Sequence, residues 1–194
     1  MHLTRRGEYA LRTLIRIGVA MAHGREVVAV SELAEAERLP LKFVEQILLQ
    51  LRGAGYIETR RGKFGGYRIA KPLEDIRIGE VVRLIDGRLA PIACASETSY
   101  ERCTCPDEEH CGLRMLMIDV RNAISRILDR YTLGDVVAVT LRKIKRDKLP
   151  APFGIAPRPS AAPNPRKKRP HADPRDGLVA FLGKEIDAVV KGLP

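Results

Sequence analysis

The stretch LKFVEQILLQLRGAGYIETRRGKFGGYRIA, residues 41–70, changes its hydrophobic period half-way. Apolar residues fall at 41, 44, 47, 48 and 51, the spacing of one face of an α-helix. Gly53 and Gly55 close that helix. Two short β-like runs, YIETR and GYRIA, then flank a turn that holds Gly62, Gly65 and Gly66, a β-hairpin signal with a glycine-rich tip. Working back toward the N-terminus, Ser31 is placed to cap a short helix, ELAEAERL, which stops at Pro40. VVAV at 27–30 is a short extended run. Residues 5–22 carry apolar positions at 11, 14, 15, 17, 18 and 21, again at helical spacing, with Thr4 as N-cap and Gly24 beyond the end. Helix, short helix, turn, helix, hairpin is the order of a winged helix-turn-helix.

On the C-terminal side, GEVVRLID at 79–86 makes a short helix. A loop follows, and then CGLRMLMIDVRNAISRILDRY at 111–131 is strongly periodic. Its positions 113, 116, 117, 120, 124, 127, 128 and 131 form one apolar stripe, widened by Met115, Ile118 and Ala123. A stripe of that length needs an apolar partner. The small N-terminal domain offers little surface for it, so a second copy of the chain is the economical one. Thr132 caps a further helix, LGDVVAVTLRKIK. Residues 148–177 are rich in Pro and Ala, carry an RKKR cluster and have little to bury, which predicts disorder. LVAFLGKEIDAVVKG, near the end, has the pattern of a short amphipathic helix. The expected fold is mainly α with a small β-hairpin wing: a winged helix-turn-helix at 1–71, cysteine loop and dimerisation helix at 72–147, a basic disordered linker at 148–177, and an amphipathic segment at 178–194.

Charge sharpens this division. The net charge is +10 over 194 residues, with +5 in residues 1–70, −3 in 71–141 and +9 in 142–171. A separately basic N-terminal domain and a basic tail suit a polyanionic partner. No apolar run approaches the ~18–20 residues of a membrane helix. Glu8, Arg12 and Arg16 interrupt the apolar stretch of the N-terminus, so it is expected to be the first helix of a cytoplasmic protein rather than a signal peptide.

The second helix of a helix-turn-helix fits the major groove and offers side chains to base edges. Here Lys42, Phe43, Glu45 and Gln46 lie in its first turns. Gln46 suits adenine, Glu45 suits cytosine N4, and Lys42 suits a phosphate. The hairpin tip supplies Arg60, Arg61 and Lys63, with glycines that let the backbone approach a groove. Double-stranded DNA is the expected partner.

All four cysteines fall within residues 94–111, CASETSYERCTCPDEEHC, in the pattern C-x8-C-x-C-x5-C. In a cytoplasmic chain a stable structural disulfide is uncommon, which leaves a reversible thiol redox pair. Four thiolates also suit zinc, although the paired C-x₂₋₄-C spacing of structural sites is absent. An iron–sulfur cluster is the third reading, since thiolates are its usual ligands. Spacing alone leaves these three open. A nucleophilic enzyme cysteine has no support, because His110 beside Cys111 is adjacency in sequence only. An electron carrier would need neither the basic hairpin nor Gln46.

MHLTRRGEYALR, the run LKFVEQILLQLRGAGYIETRRGKFGGY, the helix GEVVRLIDG and the late cysteine loop, in that order, resemble the Rrf-type winged-helix regulators. That family includes the iron–sulfur cluster assembly regulator, the nitric-oxide-sensitive repressor, the rhizobial iron regulator and a cysteine-metabolism regulator. The resemblance covers about 1–145. It implies a DNA-binding homodimer, not an enzyme, whose operator affinity answers to an iron–sulfur cluster of two or four irons; the family also has members without one. It implies Cys94, Cys105 and Cys111 as ligands. Cys103 is an extra thiol, which could replace Cys105 or complete the set. The assembly regulator has a histidine three residues after the last cysteine, where this chain has Arg114. Other members use an acidic residue near the start of the first helix, reaching across from the partner subunit, and Glu8 stands at that position.

Overall fold

Helix α1, Arg5–Ala22, begins where its cap is built: the Thr4 hydroxyl accepts the Gly7 amide at 3.0 Å. The computed structural model describes residues 3–62, 64–150 and 153. The elements that follow are α2 (Val30–Glu37), α3 (Leu41–Gly53), β1 (Ile57–Arg60), β2 (Gly66–Ile69), α4 (Ile78–Asp86), α5 (Gly112–Arg130) and α6 (Leu133–Arg146). Single 3₁₀ turns at Leu73–Asp75 and Ala93–Ala95 join them. Helices with one small antiparallel hairpin are the expected fold class, and α3 has the expected bounds.

Helix α2 starts one residue before the expected Ser31 cap. Its N-cap is Ala29, whose amide is taken by the Glu32 carboxylate at 2.9 Å, while Arg25 grips the same carboxylate at 2.9 and 3.0 Å. Arg38 ends the helix in the left-handed conformation, φ 55°, and turns the chain into Pro40 and α3.

The hairpin pairs Ile57 with Ile69 and Arg60 with Gly66. Val28, from the expected extended run, exchanges both backbone hydrogen bonds with Tyr67 at 2.9 Å. The approach is close enough that a Cβ on Gly66 would stand 2.6 Å from the Val28 carbonyl oxygen. The hairpin is therefore docked on the α1–α2 connection.

Leu14 and Ile17 of α1, Leu33 of α2, and Val44, Ile47, Leu48 and Leu51 of α3 meet in one fully buried cluster, with Ile57, Ile76 and Leu133. Each such side chain contributes roughly 1.5–3 kcal/mol of transfer free energy. The cluster draws on residues from both sides of position 71, because α6 folds back onto α1: a Cβ on Gly18 would stand 2.8 Å from the Val137 methyl. Glu37 is buried at the end of α2 and ion-paired with both Arg12 and Arg16. At the other end of α1, Asp86 accepts the Thr4 amide at 2.9 Å and the Thr4 hydroxyl at 2.5 Å.

Helix α5 is different. None of its residues is buried. It rests on α4 through Arg83, which bonds Asp129 at 2.5 and 3.1 Å. Tyr131 then leaves the helix, and Thr132 and Asp135 cap α6 reciprocally at 2.9 and 3.2 Å. The expected linker 148–177 and terminal segment 178–194 lie outside the described residues, apart from 148–150 and Phe153. The Phe153 ring packs against the main core and its carbonyl accepts Arg25 at 2.8 Å.

Candidate functional site

The buried residues of α3 fix which side of it faces outward. Val44, Ile47, Leu48 and Leu51 point into the core, and Lys42, Glu45, Gln46, Leu49 and Arg52 are exposed together on the opposite side. Lys42, Glu45 and Gln46 thus stand where the helical period of the sequence puts them. Phe43 does not. Its ring is half-buried and meets Tyr9 of α1 edge-to-face at 5.9 Å, so it packs between α1 and α3. Leu49 and Arg52 share the outward face, and reading the first turns alone missed them.

On the hairpin, Arg60 is ion-paired with Glu26 and Arg68 with Glu58. Arg61 is exposed, and Lys63 lies outside the described residues. Phe64 at the tip is 83% exposed. The hairpin and the outward face of α3 belong to the same basic N-terminal region.

The cysteine loop is built on three anchors. The Ala93–Ala95 turn carries Cys94, buried. Arg114 of α5 donates to the Cys94 carbonyl at 3.0 Å, and Arg121, two turns on, donates to the Ala95 carbonyl at 2.8 Å. Cys111 is the N-cap residue of α5, so its thiol lies at the electropositive end of that helix. Between them, Glu108 accepts the Tyr100 hydroxyl at 2.7 Å, pairs with Arg114 at 3.3 Å and lies 3.8 Å from the Cys103 sulfur. The hydrogen bond from Tyr100 holds the Glu108 carboxyl below its usual range.

The thiols themselves gather around Cys103. It lies close enough to both Cys94 and Cys105 to raise their thiols. Burial pushes the Cys94 thiol up, and the nearby Cys103 adds to it. Hydrogen bonding to Cys103 and its charge push Cys105 up to about 11, with smaller effects from Cys111 and Cys94. Among the described residues no three His, Cys, Asp or Glu side chains converge as a single metal ion would require. His110 is engaged by Asp107 at 2.9 Å. Glu8 is half-exposed on the first turn of α1 and bonds Arg12 at 3.0 Å.

Residues 3–139 match the Rrf2 family, described as iron-dependent transcriptional regulators. The chain belongs to the Rrf2 family. It is 36% identical over 138 residues to an rrf2-like HTH-type transcriptional regulator of Rhodobacter capsulatus, a match that spans 70% of this chain and 92% of that one. It is 33% identical over 150 residues to the HTH-type transcriptional regulator NsrR of Geobacillus kaustophilus, across 76% and 99% of the two chains. The solved structure of CymR, the global cysteine regulator of Bacillus subtilis, superposes with a TM-score of 0.58 at 27% identity, covering 72% of this chain and 98% of that one. As an Rrf2 protein the chain is a transcriptional regulator, not an enzyme. No helix among the described residues is long and apolar enough to cross a membrane.

The anchoring by Arg114 and Arg121 is what sequence reasoning did not supply. Arg114 stands three residues after the last cysteine, so no histidine ligand is available at that position. Its bond to the Cys94 carbonyl, twenty residues back, gives it a structural task.

Proposed function

We propose that this Rrf2 protein works as a homodimer on a two-fold DNA operator, and that an iron–sulfur cluster held by loop 94–111 sets its affinity. The observation that carries this reading is the grip of Arg114 and Arg121 on the Cys94 and Ala95 carbonyls. It makes the thiol-bearing turn and α5 one mechanical unit. The donor set suits the group: four thiols lie in one loop, with Cys103 beside both Cys94 and Cys105, on a segment irregular enough to wrap it. Cys94, Cys105 and Cys111 would hold it, with Cys103 of the same loop or Glu8 of a second copy available as a further ligand. When bound, it would supply redox- and nitric-oxide-reactive iron. Arg114, Arg121 and the positive end of α5 place compensating charge beside the anionic thiolates.

The dimer rests on the apolar side of α5. Leu113, Leu116 and Ile127 are 59%, 55% and 55% exposed on the side turned away from Arg114 and Arg121. That is a large apolar surface for one chain to leave wet. A second α5 laid against it would set the spacing of two α3 helices on neighbouring half-sites, which lie one helical turn or a multiple apart. A loop state that favours one packing of α5 by a few kcal/mol shifts the population enough to regulate.

The test is anaerobic purification with iron and sulfide assays, followed by Cys94→Ala, Cys105→Ala and Cys111→Ala. The expected result is a coloured wild type and colourless, folded variants whose DNA affinity no longer responds to the cluster. A wild type that stays colourless after anaerobic reconstitution overturns the cluster. The contacts of Cys103 favour one second reading, a thiol switch without iron. It predicts instead a protein whose DNA affinity changes on mild oxidation and is restored by dithiol.

A further inference from the structure

We infer that Leu49 is a thymine-reading residue, packing its side chain against the 5-methyl group of a thymine in the major groove. This deepens the reading of α3 as the base-contacting helix and rests on it. Leu49 is 59% exposed on α3, while its neighbours Leu48 and Leu51 are fully buried. The core under α3 is complete without it. On the helix it falls midway between Glu45 and Gln46 around the axis and one turn further along, about 6 Å toward the C-terminus. Lys42, Glu45, Gln46 and Arg52, all polar and exposed, surround it.

An exposed leucine on a protein surface needs no partner as such; what singles out Leu49 is its place between the two side chains equipped for base edges. Base edges in the major groove offer donors, acceptors and one apolar group, the thymine methyl. Glu45 and Gln46 are equipped for the donors and acceptors, and Leu49 for the methyl. Gly53 continues the same face one turn on. A Cβ there would meet nothing within 4 Å, so packing within the chain does not require the glycine, and its absent side chain leaves clearance beyond Leu49. A second copy of the chain is the poorer occupant. The contiguous apolar stripe is on α5, whereas Leu49 is surrounded by the polar Lys42, Glu45, Gln46 and Arg52.

The experiment uses the full chain and a random-sequence duplex DNA library. The wild type selects its preferred sequence, and each thymine of that duplex is then replaced in turn by deoxyuridine, which removes only the methyl. Affinities are read by fluorescence anisotropy at one ionic strength. At one thymine per half-site, loss of the methyl should weaken wild-type binding about four-fold, the value of one buried carbon. Leu49→Ala, which removes the contact in both half-sites, should bind the unmodified duplex about as weakly as the wild type binds a duplex with uracil at both positions, and should be indifferent to the methyls. Leu49→Met, which keeps an apolar side chain of similar length, should regain the sensitivity. The inference is overturned if no thymine methyl matters to the wild type, if Leu49→Ala keeps full sensitivity, or if Leu49→Ala dissociates the dimer. A wild type that enriches no sequence overturns it together with the base-reading role of α3, and that outcome is distinct from enrichment without methyl dependence.

Discussion

Replacing Leu116 by glutamate tests the α5 dimer directly. Leu116 keeps 55% of its surface exposed in the single chain. Burying a whole leucine is worth about 2 kcal/mol, so the exposed part represents about 1 kcal/mol per protomer and about 2 kcal/mol per dimer. A carboxylate stranded in the same apolar seam adds ~1–3 kcal/mol per copy. The sum, about 4–8 kcal/mol per dimer, corresponds to roughly three to six decades in the dimer Kd. No residue of α5 is buried, so the substitution should leave the protomer folded, with unchanged circular dichroism. Sedimentation equilibrium across a concentration series reads the Kd, and operator binding should fall with it. Arg126→Glu is the control: Arg126 is exposed on the same helix but lies well outside the stripe, and it should stay within about 0.5 kcal/mol of wild type. An unchanged Kd for Leu116→Glu, or an equal loss for Arg126→Glu, would refute the assignment of the face.

Gly66→Ala should push the hairpin off the α1–α2 connection, because the new Cβ would stand 2.6 Å from the Val28 oxygen. A cost of about 1–3 kcal/mol is expected, read as a lower Tm, together with weaker DNA binding than an equally destabilised core variant shows. Thr132→Ala removes the hydroxyl that accepts the Asp135 amide at 3.2 Å and should cost about 1 kcal/mol, or a Tm fall of roughly 2–4 °C, without touching DNA affinity. Arg121→Ala frees the Ala95 carbonyl from α5. It should leave folding and cluster content nearly intact, while operator affinity responds less to loading; a full response would refute the coupling. If the dimer neutralises ~6–10 phosphates, binding should weaken by about 10³–10⁵ between 50 and 200 mM salt, measured on one operator duplex.

The sequence discloses what is local. The helical period of α1 and α3 and the glycine-marked hairpin depend on residues close in the chain, and they appear with the expected order and nearly the expected ends. Contacts between distant residues were not legible. Ser31 has the chemistry of an N-cap, yet Glu32 caps Ala29 because Arg25, seven residues back, holds its carboxylate in place. Phe43 sits in the first turn of α3, where its ring packs edge-to-face on Tyr9 of α1. Arg12 and Arg16 are one turn apart in the sequence, a hint of a shared partner, and only the fold identifies that partner as Glu37. Leu49 left a signal that went unused: it is the apolar residue that fails to fit the stripe of α3. The four cysteines announced a site, but the groups that position it are arginines of α5, 20 and 26 residues beyond the carbonyls they hold.

Those arginines explain why the loop is placed where it can matter. Arg114 and Arg121 tie it to α5, and Arg83 ties α5 to α4 through Asp129. Helix α4 is bound at its far end to α1, through Asp86 and Thr4, and to α3, where the Gln50 amide donates to the Leu84 carbonyl at 3.0 Å. Thus α4 touches α5, α1 and α3 through separate polar contacts. A shift of α5 on α4 strains the Arg83–Asp129 pair, the bond from Arg77 to the Asp129 carbonyl at 2.7 Å and the packing of Leu128 on the cluster of Ile78 and Val82, or it moves α4 and with it the carbonyl that holds Gln50. Contiguity of this kind makes coupling between loop and DNA physically available, and the response of an Arg121→Ala protein measures how much of it is used.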